Sequence, residues 1–196
     1  MFLISVYSSE GDKQTDMTDN ELMAQVVSGG KRAMKSLVEK YKKRAFYIAL
    51  GMVGNKDEAY DISQDAFIRV FKSAEKFNQE QRFFPWFYSI ITNLCRDCLL
   101  RRRTKESREV DIDDNEYLLV ADSNPEAQVI RDEEAKNVRS ALMKLDFEDR
   151  EIIMLKHFKD HSYDEIAHLL KIPKGTVMSR LYYARKKLAK ELAYYE

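Results

Sequence analysis

Between Ser162 and Leu188 the residue pattern leaves the chain very little choice of fold. Ser162-Tyr163-Asp164-Glu165 is a capping box: a hydroxyl accepts from the N–H three residues on, and the carboxylate there reaches back to the capping residue. Ile166, Ala167, Leu169 and Leu170 then form the inward face of a helix of about two turns. Lys171-Ile172-Pro173 permits only a tight turn, and Pro173 suits the start of a second helix, where its missing N–H costs nothing. Val177, Leu181, Ala184 and Leu188 make that helix's buried stripe. At about 100° per residue, the opposite face centres on Ser179, Tyr183 and Lys186, flanked by Thr176 and Tyr182. This is the pattern of a helix-turn-helix, whose second helix is expected in a major groove, with Arg185, Lys186, Lys187 and Lys190 beyond it where phosphates lie. A helical hairpin with an ordinary basic face is the plainer reading. The short first helix, the tight turn and the basic cluster weigh against it.

Helical spacing extends over most of the chain. Hydrophobic residues make up 44% and charged residues 34%, with only 6 Gly and 3 Pro, which favours helices with charged outer faces over a sandwich or barrel. Thr18 and Glu21 form a capping box before Leu22, so order is expected to begin there, with residues 1–17 disordered and Met17 an alternative start. Met34, Leu37, Val38, Tyr41, Ala45, Ile48 and Met52 mark a long helix ended by Gly51 and Gly54. Asn55 and Glu58 form a further capping box, followed by the stripe Ala59, Ile62, Ala66, Val70, Ala74 and Phe77. After a polar loop and Pro85, Phe87, Ile90, Ile91, Leu94 and Cys98 line a fourth helix that ends in Arg101-Arg102-Arg103. Residues 106–132 lack sustained periodicity and contain Ser123-Asn124-Pro125, as a flexible linker would. Ala135, Val138, Leu142 and Leu145 open a second domain, in which Asp146 caps the helix that holds Ile152, Ile153, Leu155 and Phe158. The expected fold is therefore all-α: two small helical domains, 18–105 and 133–196, joined by an acidic linker.

The net charge of zero conceals a segregation. Residues 17–105 carry 17 basic and 10 acidic side chains, residues 106–135 carry 2 and 11, and residues 136–196 carry 13 and 9. Two basic blocks flanking an acidic strip are what two phosphate-binding domains would show. No apolar run is long enough to span a bilayer and Met1 to Val6 lacks the flanks of a signal peptide, so membrane insertion is not expected and the cytoplasm is. Cys95 and Cys98 sit three apart on one helix, awkward for a disulfide and two ligands short of a metal site. His157 and His161 share a face without an HExxH frame, and no catalytic triad or carboxylate cluster is apparent, so no metal, cofactor or catalytic residue is expected.

Two further surfaces suggest binding. On the third helix Asp57, Asp61, Gln64, Ile68 and Phe71 lie opposite the buried stripe. Carboxylates beside exposed Ile and Phe make a poor DNA surface and a good protein-docking one. Around the fourth helix, Phe77, Phe83, Phe84, Trp86, Asn93, Arg96 and the arginine run supply the aromatic, amide and basic groups that can trap an unstacked base. Some of these aromatics must be core, Phe84 and Phe87 above all. The arginines also complement a helix C-terminus, a role that requires no DNA.

Ser162-Tyr163-Asp164-Glu165-Ile166-Ala167, Ile172-Pro173, Gly175-Thr176-Val177, Ser179-Arg180-Leu181 and Ala184-Arg185 together resemble region 4 of the extracytoplasmic-function sigma factors. Asp57-Glu58-Ala59, Asp61, Gln64-Asp65 and Phe67 resemble the core-binding helix of region 2 in that family, and Phe77, Trp86, Asn93, Asp97 and Arg101-Arg102-Arg103 its promoter-melting segment. The resemblance implies a bacterial transcription initiation factor whose partners are core RNA polymerase, at its beta-prime clamp and beta flap, promoter DNA and an anti-sigma factor. It implies polymerase contacts at Asp57, Asp61, Gln64, Asp65 and Ile68. Minus-ten DNA would meet Phe77, Asn78, Trp86, Asn93, Arg96, Arg101, Arg102 and Arg103. Minus-thirty-five DNA would meet Lys156, Ser162, Lys174, Thr176, Met178, Ser179, Arg180, Tyr182, Tyr183, Arg185 and Lys186. Met178 and Tyr183 depart from the basic residues often found there, which bears on promoter specificity. The linker would run into the polymerase's RNA channel, and in the free protein its Asp111, Asp113, Asp114 and Glu116 are expected to compete with phosphates, unless the linker is a passive tether. A dimeric helix-turn-helix repressor or activator is the alternative, and it leaves the third helix and the melting-type aromatics unexplained.

Overall fold

The computed structural model describes residues 17–106, 136–157 and 161–194, whose regular elements are all helical and form two compact units, 17–106 and 136–194. Most of the expected N-terminal extension, and the acidic linker with Asp111, Asp113, Asp114 and Glu116, lie outside the described residues.

The first unit comprises α1 (Asp19–Val27), α2 (Lys31–Val53), α3 (Lys56–Lys72), a single 3-10 turn (Ala74–Lys76) and α4 (Phe83–Glu106). The Thr18/Glu21 capping box is formed. Gly30 is required at the α1–α2 corner, because a Cβ there would stand 2.7 Å from the Gln25 carbonyl oxygen. Gly51 does not end α2; the helix continues until Gly54 takes φ 75° and donates to the Leu50 carbonyl, since Met52 and Val53 both bury completely. Asn55 caps α3 by accepting from the Glu58 N–H. The Glu58 carboxylate turns to Arg102 on α4.

The α3 stripe Ala59, Ile62, Ala66, Val70, Ala74 and Phe77 is buried from end to end. It meets an aromatic cluster in which Phe83 and Phe87 stack at 5.4 Å, Phe67 lies 4.9 Å from Phe87, and Tyr41 lies 5.3 Å from Phe83. The core residue at the start of α4 is thus Phe83, not Phe84. Phe83 and Phe87 stand four apart and share the inward face, which turns Phe84 about 100° outward. There its half-buried ring carries the Arg44 guanidinium, 3.4 Å from the ring centre.

In the second unit a helix over 136–143 (α5) precedes α6 (Phe147–His157), α7 (Tyr163–Leu170) and α8 (Lys174–Leu192). Its buried core is aliphatic: Ala141, Leu142, Leu145, Ile152, Ile153, Leu155, Ile166, Val177, Leu181 and Ala184. Leu188, expected in the α8 stripe, is half-buried. The Ser162/Glu165 capping box opens α7, and Lys171, at φ 55°, closes it, with the Ile172 N–H donating to the Ala167 carbonyl at 3.1 Å. That left-handed residue makes the turn tight enough to lay α8 across α7. No helix among the described residues is long and apolar enough to cross a membrane.

Candidate nucleic-acid and partner-docking surfaces

The outer face of α3 is open. Asp57, Asp61, Gln64, Asp65 and Ile68 are all exposed, and so are Phe71 and Tyr60. Tyr60 went unread in the sequence, although its spacing from Gln64, Ile68 and Phe71 places it on the same helical ridge. Three large apolar side chains exposed among carboxylates give this face the composition of a protein-docking surface.

The neighbourhood of α4 divides the expected minus-ten residues. Asn78 is exposed and its side chain accepts from the Glu80 N–H at 2.9 Å. Phe77 is buried, so it offers no open ring face; its ring lies 5.0 Å from half-buried Trp86 and serves as that indole's seat. Asn93, Arg96, Arg101 and Arg103 are exposed. Arg102 is not an outward group: it pairs with Glu58 and donates to the Val53 carbonyl at 3.3 Å. Three consecutive residues point about 100° apart, so only one of the arginines can face the carbonyl end of α2, and that end attracts a cation. Cys95 and Cys98 are buried and share no disulfide, and burial, with Glu58 alongside, pushes the Cys98 thiol above its usual range and away from thiolate chemistry.

On the helix-turn-helix, Met178, Ser179, Tyr182, Tyr183, Arg185 and Lys186 project from α8 into solvent, while Thr176 and Arg180 are half-buried. The two tyrosine rings meet edge to face at 5.3 Å, and the Ser179 hydroxyl donates to the Thr176 carbonyl at 3.2 Å. Gly175, beside them, has nothing within 4 Å of where a Cβ would stand. Ser162 is exposed, and its hydroxyl and N–H engage Glu165, whose carboxyl these hydrogen bonds hold below its ordinary range. Lys174 pairs with Asp164 at 2.8 Å. Lys156 turns inward, donating to the His161 carbonyl at 3.1 Å and covering the Tyr163 ring; it braces the approach to α7 and does not reach outward. Lys187, expected in the phosphate row, is held by Asp149 at 2.5 Å and Asp146 at 3.4 Å, which raise its pKa, the Asp149 hydrogen bond first. Asp146 therefore contributes an ion pair as well as the carbonyl that accepts from the Arg150 N–H.

Each of the two units holds the match to one family model. Sigma-70 region 2 matches residues 37–106, and Sigma-70, region 4 matches residues 135–188. The chain is also 32% identical over 183 residues to the ECF RNA polymerase sigma factor SigW of Bacillus subtilis, a match covering 90% of this chain and 98% of that protein. It belongs to the ECF RNA polymerase sigma factors. The RNA polymerase sigma-H factor of Pseudomonas aeruginosa is 31% identical over 184 residues, covering 91% of this chain and 95% of that one. Among solved structures, that of CnrH in complex with the cytosolic domain of CnrY is 25% identical with a TM-score of 0.64, covering 89% of this chain and 97% of that one. Sigma factor RpoE of Bartonella quintana, in complex with the anti-sigma factor NepR, shares the fold at a TM-score of 0.60, over 81% of this chain and 96% of that one. As a sigma factor the chain binds core RNA polymerase and directs it to promoters. Its first unit carries region 2 and its second region 4.

Proposed function

We propose that this sigma factor divides its work between surfaces of opposite chemistry. The outer face of α3, with Asp57, Asp61, Gln64, Asp65 and Ile68, docks on the polymerase clamp, and Tyr60 and Phe71 extend that contact. The loop 77–82 and the exposed part of α4 hold minus-ten DNA: Trp86, seated on Phe77, stacks on an unstacked base; Asn78 and Asn93 offer base-edge groups; Arg96, Arg101 and Arg103 meet phosphates. The exposed face of α8 enters the major groove of the minus-thirty-five element. The factor works in the cytoplasm, contributes no catalytic group to the polymerase it directs, and is held in check by an anti-sigma factor, as the structural relative RpoE of Bartonella quintana is bound by the anti-sigma factor NepR. The acidic-apolar face of α3 carries this reading, because it is wrong for phosphate and right for protein, in a chain whose α8 has the reverse character.

Reversing the charge at an exposed α3 position tests it. Asp61→Arg is expected to abolish co-elution with core polymerase while leaving the circular dichroism spectrum unchanged. Retained core affinity in an intact fold would remove α3 as the docking helix.

A further inference from the structure

We propose that Asn20, on α1 and outside the region 2 match, is the residue that sets the shape of the minus-ten loop. Its side-chain amide engages three backbone groups about sixty residues away. Nδ2 donates to the Gln79 carbonyl at 2.8 Å and to the Gln81 carbonyl at 2.8 Å, and Oδ1 accepts from the Phe83 N–H at 3.2 Å. The loop it grips is exposed at every position from Asn78 to Arg82, and its other described hydrogen bonds are local: Glu80 N–H to the Asn78 side chain and Gln81 N–H to the Asn78 carbonyl. A solvated stretch with only local ties samples many conformations, and Asn20 removes that freedom from outside.

The chemistry selects an amide. A carboxamide alone offers two donors and an acceptor in one plane, so it can satisfy two carbonyls and an N–H together. The Phe83 N–H is one of the unpaired donors at the start of α4, and Asn20 caps that helix from another element. The grip is itself anchored. Asp19, the neighbouring residue, accepts from the Tyr41 hydroxyl and the Lys40 ammonium, both at 2.5 Å, which fixes α1 on α2. Asn20 thus fixes the approach to Trp86 without touching DNA, so a bound base meets a loop already in its binding shape. This rests on the minus-ten reading given above.

The test uses the full chain assembled with core polymerase, selecting from a single-stranded DNA pool with six randomised nucleotides. Wild-type holoenzyme should enrich a restricted set of hexamers. Asn20→Ala should lower that enrichment about tenfold, the effect expected when a preorganised contact becomes a disordered one, with affinity for the unselected pool, core affinity and the helical spectrum unchanged. Asn20→Asp keeps the acceptor for the Phe83 N–H but faces two carbonyls with an anion, and should discriminate no better than Asn20→Ala. Unaltered enrichment by Asn20→Ala would overturn the proposal, and so would parallel loss of helicity, core affinity and enrichment, which marks a merely structural brace. Trp86→Ala in the same selection separates the two levels. If it flattens the enrichment while Asn20→Ala does not, only the Asn20 role falls; if it changes nothing, the minus-ten reading falls with it.

Discussion

Region 2 and region 4 of this sigma factor place their candidate DNA groups at different depths. In region 2 the groups stand on the core: Trp86 lies on buried Phe77, which continues into Phe83, Phe87, Phe67 and Tyr41. In region 4 the core is aliphatic and stops at the inner face of α8, and Met178, Tyr182 and Tyr183 project from the far side of that helix. Opening a duplex demands a rigid platform on which an unstacked base can rest, whereas reading a closed groove demands side chains that reach outward from a helix. The first should therefore couple function to stability and the second should not.

The largest contrast lies between two aromatic truncations. Phe77→Ala empties a buried ring site and should destabilise the region 2 unit by about 3–5 kcal/mol, taking promoter opening with it. Tyr183→Ala removes an exposed ring and should leave unfolding within about 0.5 kcal/mol of wild type while altering minus-thirty-five preference. Urea unfolding with duplex binding measures both. A Tyr183→Ala variant as unstable as Phe77→Ala would erase the distinction.

The depth of a residue was the least legible property in the sequence. Helix type followed from local rules: the capping boxes at Thr18 and Ser162 are both formed, and the α3 stripe is buried as its spacing requires. The helix-turn-helix could be read because its caps and turn are local. The error over Phe83 and Phe84 arose because a run of aromatics does not disclose where its helix begins, and one residue of phase exchanges inside for outside. Asn20 gave no signal at all, since its partners are backbone groups brought near only by tertiary packing. Arg102 and Lys187 belong to the same class: the sequence displays a basic run, and only the facing elements, the α2 C-terminus with Glu58 or Asp146 with Asp149, decide which cation turns inward.

That inward turn sharpens the comparison by a smaller effect. Arg103→Ala should weaken binding to all DNA sequences alike and reduce the salt slope of holoenzyme binding by about one, as loss of a phosphate contact does. Arg102→Ala should leave the slope unchanged and lower the stability of the region 2 unit by about 1–2 kcal/mol, because it strips a partner from Glu58 and from the Val53 carbonyl at a half-exposed site. Salt titration beside thermal unfolding separates them. Equal slope changes for both would mean that Arg102 leaves Glu58 when DNA arrives.

The smallest expected effect concerns the most outward group. Met178 is 52% exposed on the α8 face proposed to enter the groove. Its neighbours that could donate to guanine are engaged or partly covered in the free protein. Lys174 is tied to Asp164, Arg180 is half-buried, and the Ser179 hydroxyl already donates its proton to the Thr176 carbonyl and is left to accept. Gly175, one turn before Met178, has no side chain to hold that part of α8 away from a groove, and the protein itself would leave a Cβ there in open space. An apolar side chain brought near the groove floor has one natural partner, the thymine methyl. Burying one methyl contributes about 0.8 kcal/mol, roughly a fourfold change in affinity. A duplex selected by the wild-type holoenzyme and resynthesised with uracil for thymine through its minus-thirty-five half should bind about fourfold more weakly for each contacted methyl. Met178→Ala should bind the thymine and uracil duplexes alike, with its salt slope intact because no phosphate contact has changed. Equal binding of the two duplexes by the wild-type factor would show that Met178 reads no methyl, and would leave readout at this element to Ser179, Tyr182 and Tyr183.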